Sequence, residues 1–131
     1  MEAPASHTLT NLREVEDLAA KYGYGEQGEA RFATDQLAAQ RTGVSLQLLR
    51  PGRRQAFGHR HVDAEEVYVV LSGSGRAALD DEVVELRALD ALRVAPDVTR
   101  AFEAGPEGME MLVFGPRHEG DGEIVPGWWG S

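Results

Sequence analysis

FGHRHVDAEEVYVVLSGSG, residues 57–75, sets two histidines one residue apart ahead of a glutamate pair and an alternating apolar run that ends at Gly73. Along an extended chain the side chains alternate between two faces, so His59 and His61 point one way and Arg60 the other. After a turn at VDAE (62–65) the next strand opens with Glu66, whose face continues through Tyr68 and Val70, while Glu65 takes the opposite side. Two imidazoles and one carboxylate converging from adjacent strands form the facial arrangement of non-haem iron and related first-row metal sites. His59, His61 and Glu66 are therefore candidate metal ligands mounted on a β-hairpin.

The surroundings suit such a hairpin. From Val44 onward the chain reads as short strands: VSLQLLR, the turn PGRR, AFGHRH, EVYVVLSG, GRAAL, the tight turn DDE, VVELR, DALRVAP, TRAFEAG and MEMLVFG. Strands of this length, punctuated by Gly, Pro or Asp turns, predict an antiparallel sandwich or barrel. Ahead of them, TNLREVEDLAAKYG (10–23) predicts one short helix, with Asn11 as cap, Glu14 reaching back, and Leu12, Val15, Leu18 and Tyr22 as an apolar stripe. Gly23 supplies its stop. Residues 24–43 read mostly as connection, with one short strand at Arg31–Thr34. The expected organisation is an N-terminal helix and connecting segment (1–43), a barrel (44–115) and a glycine-rich tail (116–131). Trp128 and Trp129 of that tail are expected to pack on the outside of the barrel or against a dimer neighbour.

At 131 residues the chain is long enough for one well-buried core and too short for two ordinary domains. It has no cysteine, which removes disulfides, thiolate metal sites and a cysteine nucleophile together, and leaves histidine and carboxylate as metal ligands. A formal charge of −9 opposes nucleic-acid binding, which needs a dense positive surface. Neither a membrane-spanning apolar run nor a signal-like start is present, so a soluble, cytoplasmic protein is expected. Arg50, Arg53, Arg54 and Arg60 form a local basic cluster, read as a solvated loop face or as a rim attracting an anionic small molecule.

HRHVDAEEVYVVLSGSG resembles the first motif of the cupin superfamily: His-x-His, three or four residues, Glu, six residues, Gly. His59, His61, Glu66 and Gly73 match it, and Gly52 stands for the family's leading glycine, displaced by one residue. The resemblance covers about residues 44–115 and implies an all-β, cupin-type jelly-roll barrel with its pocket inside. It also implies a divalent first-row metal (Mn, Fe, Ni or Zn) and a homodimer formed through outer sheets and terminal segments. It leaves function open, since cupins include dioxygenases, isomerases, epimerases, decarboxylases and non-catalytic proteins.

The second cupin motif departs from the family. Aligning LDALRVAPDVTRAF (89–102) to it sets Arg100 where the family has its fourth ligand, a histidine, and no histidine occurs between His61 and His118. Arginine stays protonated, so it cannot coordinate a cation and repels one nearby. A metal-free barrel thus stands beside the metal-bound one as an expectation. Arg100 has three readings: an ion pair with Glu66, a clamp for a carboxylate or phosphate of a bound molecule, or a side chain turned to solvent at the barrel mouth. Arg100, Tyr68 and Phe102 are the candidate ligand-binding residues, the two aromatics reading equally as plain core.

Other chemistries have less support. Ser45, Ser72 and Ser74 lack an arranged histidine and acid, GSGRAA lacks the Lys-Ser/Thr of a phosphate loop, and Asp80–Asp81 reads as a hairpin turn. Two functions remain: binding of a small, anionic molecule inside the barrel, or a metal-dependent enzyme of dioxygenase, isomerase or epimerase type acting on a small organic acid or sugar.

Overall fold

The computed structural model describes residues 5–117 and 120–126. Eight strands follow a short helical segment: β1 (Gly28–Phe32), β2 (Thr42–Leu49), β3 (Phe57–His61), β4 (Glu66–Leu79), β5 (Glu82–Arg87), β6 (Ala91–Val94), β7 (Arg100–Pro116) and β8 (Gly122–Pro126). Every pairing is antiparallel, in the order β1-β2-β7-β3-β8, with β4 joining β5, β6 and β7. The sheet curls into a jelly-roll barrel, as the cupin resemblance implied and within the sandwich-or-barrel choice that the strand pattern left. Trp128 and Trp129 lie outside the described residues, as does His118.

Two pairs of expected strands are each one long, bent strand. EVYVVLSG and GRAAL form the single β4, and TRAFEAG and MEMLVFG the single β7. The glycines between them mark bulges rather than turns: the β4–β7 register shifts between Val70 and Ser72 and again between Gly73 and Gly75. Gly73 has φ +77°, and a Cβ there would collide with the Gly108 carbonyl, so only glycine fits this bend. Bending lets the two halves of β4 meet different neighbours, β6 by Glu66–Val69 and β5 by Ser74–Leu79. Asp80–Asp81 makes the two-residue turn between the paired Leu79 and Glu82.

The expected single helix is broken in two. A 3₁₀ turn at Leu12–Glu14, capped by the Asn11 side chain, ends at an extended Val15, and a four-residue helix α1 (Leu18–Lys21) follows. The break has tertiary causes. The Val15 carbonyl accepts from Arg31, and the Asp17 carboxylate accepts both from Ala19 in α1 and from Ala30 in β1. Bonds to the neighbouring strand therefore replace the helical ones. The strand expected at 31–34 begins earlier, at Gly28, and pairs with β2. Tyr22, expected on the buried stripe, is exposed, while Val15 is buried.

Strand alternation sorts the barrel's two faces. Leu49, Tyr68, Val70, Phe102, Met109 and Met111 fill the interior. Val67 pairs with Phe114 and Val69 with Leu112 on the opposite face, where Phe114 stays 41% exposed. No helix among the described residues is long and apolar enough to cross a membrane.

Candidate metal centre

β3 and β4 bring the expected ligands together. His59 Nε2 stands 3.5 Å and His61 Nε2 3.2 Å from the same Glu66 oxygen, Oε1. One donor atom from each of the three residues fits within a sphere of mutual distances no longer than 4.8 Å. A first-row cation holds its N and O ligands at about 2.0–2.2 Å, so neighbouring donors around it lie about 3–3.5 Å apart. Both His–Glu separations match that spacing, so these side chains fit a divalent cation. Glu65 takes the other face and meets Arg93 at 3.1 Å in solvent.

Glu66 is the electrostatic centre of this cluster. Tyr68 donates its hydroxyl proton to Oε1 at 2.7 Å. Burial raises the Glu66 carboxyl, but hydrogen bonds from His59, His61 and Tyr68 together outweigh it and hold the group well below its ordinary value. Tyr68 moves the other way: burial, then the Glu66 charge, pushes its hydroxyl well above the usual range, so it remains a donor.

Arg100 faces inward because it pairs directly with His59 across β3 and β7. Its side chain has no solvent exposure, which overturns the solvent-facing alternative. Nη2 donates to the Ala95 carbonyl at 2.8 Å, and Nη1 lies 3.9 Å from Glu66 Oε1. That distance is electrostatic contact rather than a hydrogen bond. Among the described residues, Nε and Nη1 have no hydrogen-bond partner. The guanidinium therefore offsets the Glu66 charge without occupying its oxygen.

An open, mostly apolar cleft of about 970 Å³ reaches this cluster, and His59, His61 and Glu66 form part of its wall. Arg100, Tyr68 and Phe102 are not on that wall. Tyr68 and Phe102 are buried together, with ring centroids 4.6 Å apart, and with Arg100 they back the Glu66 side.

Two groups of wall and support residues were missed in the sequence. Ser45 and Gln47 share the inner face of β2, and Gln47 joins them to Gln55 by side-chain bonds of 3.2 and 3.3 Å. Their polar alternation against Val44, Leu46 and Leu48 was a usable signal. Asp121 stands 3.5 Å from His61 Nδ1 and carried no signal in its glycine-rich surroundings. Of the basic cluster, Arg50, Arg54 and Arg60 each face an acid: Glu29, Glu103 and Glu123. These pairs fit a solvated face rather than an anion-collecting rim.

Residues 45–115 match the Cupin domain family. A cupin protein from Bacteroides fragilis is 26% identical with a TM-score of 0.69, over 89% of this chain and 88% of that one. A cupin-superfamily sugar phosphate isomerase from Silicibacter pomeroyi is 20% identical with a TM-score of 0.61, over 70% and 60% of the two chains. Oxalate decarboxylase from Bacillus subtilis is 17% identical with a TM-score of 0.75, over 94% of this chain and 33% of the enzyme. At those last identities the likeness is one of fold. No curated protein matches the chain. Sequence motif, barrel topology and family match agree, and the chain belongs to the cupin domain family.

Proposed function

We propose that this cupin holds a divalent first-row cation through His59, His61 and Glu66 and receives a small, anionic molecule in the cleft beside it. The observation that carries the proposal is the convergence of both imidazole Nε2 atoms on Glu66 Oε1 at metal-ligand spacing. The preference for an anion follows from charge. Arg100 already offsets Glu66, so an arriving dication brings positive charge into a poorly solvated site, and an anionic oxygen in its open positions compensates it. Arg100 acts in this account through Glu66, and Tyr68 and Phe102 by packing behind it, while Ser45, Gln47 and Gln55 offer polar contacts in the cleft.

Calorimetric titration of chelator-stripped protein with manganese, nickel and zinc tests the metal. One equivalent is expected to bind, and His61→Ala is expected to weaken it by about 100-fold or more, beyond the loss typical of an outer partner. Equal heats from both proteins would remove the proposal. Oxalate, acetate and phosphate titrated into the loaded protein then probe the anion. A metal-dependent enzyme is the second reading, favoured because the three donors lie on the cleft wall, where a bound molecule would reach the cation.

A second copy of the chain is proposed to cover the outer face carrying Val67, Val69, Leu112 and Phe114. Light scattering at micromolar concentration is expected to give twice the monomer mass, and the monomer mass would count against it.

A further inference from the structure

We infer that Asp121 is a positioning residue of the metal centre, a role that rests on the metal proposal above. It sits just before β8, far along the chain from the ligands, yet its side chain is only 9% exposed. Oδ1 accepts from the backbone amides of Val62 at 2.8 Å and Asp63 at 3.0 Å, and Oδ2 accepts from Ala64 at 2.9 Å. Those three amides make the turn that joins β3 to β4, the strands carrying His59, His61 and Glu66. One carboxylate therefore fixes the offset between the two ligand strands.

The same carboxylate reaches a ligand. Oδ2 lies 3.5 Å from His61 Nδ1, on the ring edge opposite the Nε2 that faces Glu66. A metal-bound imidazole typically directs its second ring N–H to a carboxylate or carbonyl, which fixes the ring's orientation and raises its basicity. β8 runs beside the ring: Gly122 pairs with His61, and the space between it and His61 Cε1 would take a Cβ in ordinary contact. Asp121 also adds a second negative charge to the site. With Glu66 it sets two carboxylates against Arg100, restoring the excess of negative charge that an arginine in place of the fourth ligand removes.

A residue that only capped the turn would leave His61 itself unaffected, so the test reads the ring as well as the affinity. Asp121→Asn keeps the side-chain shape and an acceptor oxygen but loses the charge and one acceptor; Glu123→Gln, which breaks an ion pair with Arg60 in the same tail, is the control. Zinc titration is expected to give about tenfold to a hundredfold weaker binding for Asp121→Asn and no change for Glu123→Gln. In metal-free protein, nitrogen-15 NMR is expected to show the His61 ring signals displaced in Asp121→Asn and those of His59 retained. Unchanged His61 signals and unchanged zinc affinity would overturn the inference. Should neither protein bind zinc, manganese or nickel, the metal proposal fails, and the metal-free His61 signals still decide whether Asp121 holds the ring. Should Asp121→Asn not fold, zinc-loaded wild type decides: a proton on Nδ1 supports the inference, and zinc on Nδ1 overturns it.

Discussion

Arg100→His is expected to raise the affinity for a divalent first-row cation by about 100-fold. Three effects share one sign. The exchange removes a fixed positive charge whose Nη1 lies 3.9 Å from Glu66 Oε1, and repulsion between a unit charge and a dication across about 5 Å is worth a few kcal/mol even at an effective dielectric of about 40. It releases Glu66 from a competing cation. It also places an imidazole directly opposite His59 in the β3–β7 pair, on the same inner face. Relaxation of the vacated space reduces the gain, which is why the expected change is about 100-fold rather than more. Calorimetry with manganese, nickel and zinc measures it, and adding His61→Ala to the variant locates it. If wild type binds one equivalent and the variant binds it no more tightly, the Arg100 charge does not act on the site.

Glu66→Gln is expected to destabilise the metal-free protein by about 3 kcal/mol, because removing one partner of a buried ion pair leaves the other charge uncompensated. Arg100 would then keep only its bond to the Ala95 carbonyl, with no solvent to turn to. The double variant Glu66→Gln, Arg100→Met is expected to recover most of the loss, since it removes both charges and keeps an unbranched chain in the space. Urea unfolding of the wild type, both single variants and the double variant at pH 7 measures the coupling. Additive losses would mean that the two groups stabilise the barrel separately. The pH dependence has a definite sign. The folded Glu66 carboxyl lies below its ordinary value of 4.5, so its stabilising contribution is complete above that value and is lost as pH falls below it. The Gln variant lacks that part of the acid slope.

The β3–turn–β4 unit was legible because parity alone determines which side chains share a face, and parity survives any error in strand ends. The same rule puts Arg100 and Phe102, two residues apart, on one face of their strand, and the structure shows that face to be the inner one. Depth was not legible: parity cannot say that Arg100, Tyr68 and Phe102 stand behind the cleft wall and His59 on it. Gly73 misled because glycine marks turns and bulges alike, and only the partner strand distinguishes them. The N-terminal stripe fitted a helix from Asn11 to Tyr22, yet Asp17 and the Val15 carbonyl bond to β1, a preference invisible until β1 is in place. Asp121 was invisible for a related reason, since nothing near it in sequence indicates that its carboxylate closes a turn at 62–64.

β7 pairs with β2, β3 and β4, whereas among the described residues β8 pairs only with β3. Opening β7 breaks three strand interfaces at once, so its amides are expected to exchange with solvent only when the barrel as a whole comes apart. β8 peels away by breaking one. Glu66 is therefore expected to open with the cooperative body of the protein, while Asp121, inferred above to support His61, sits at an edge expected to open more readily. Amide exchange in this barrel is expected to divide at the site itself: one side of the centre would report global unfolding, and the other the lifting of a single edge strand.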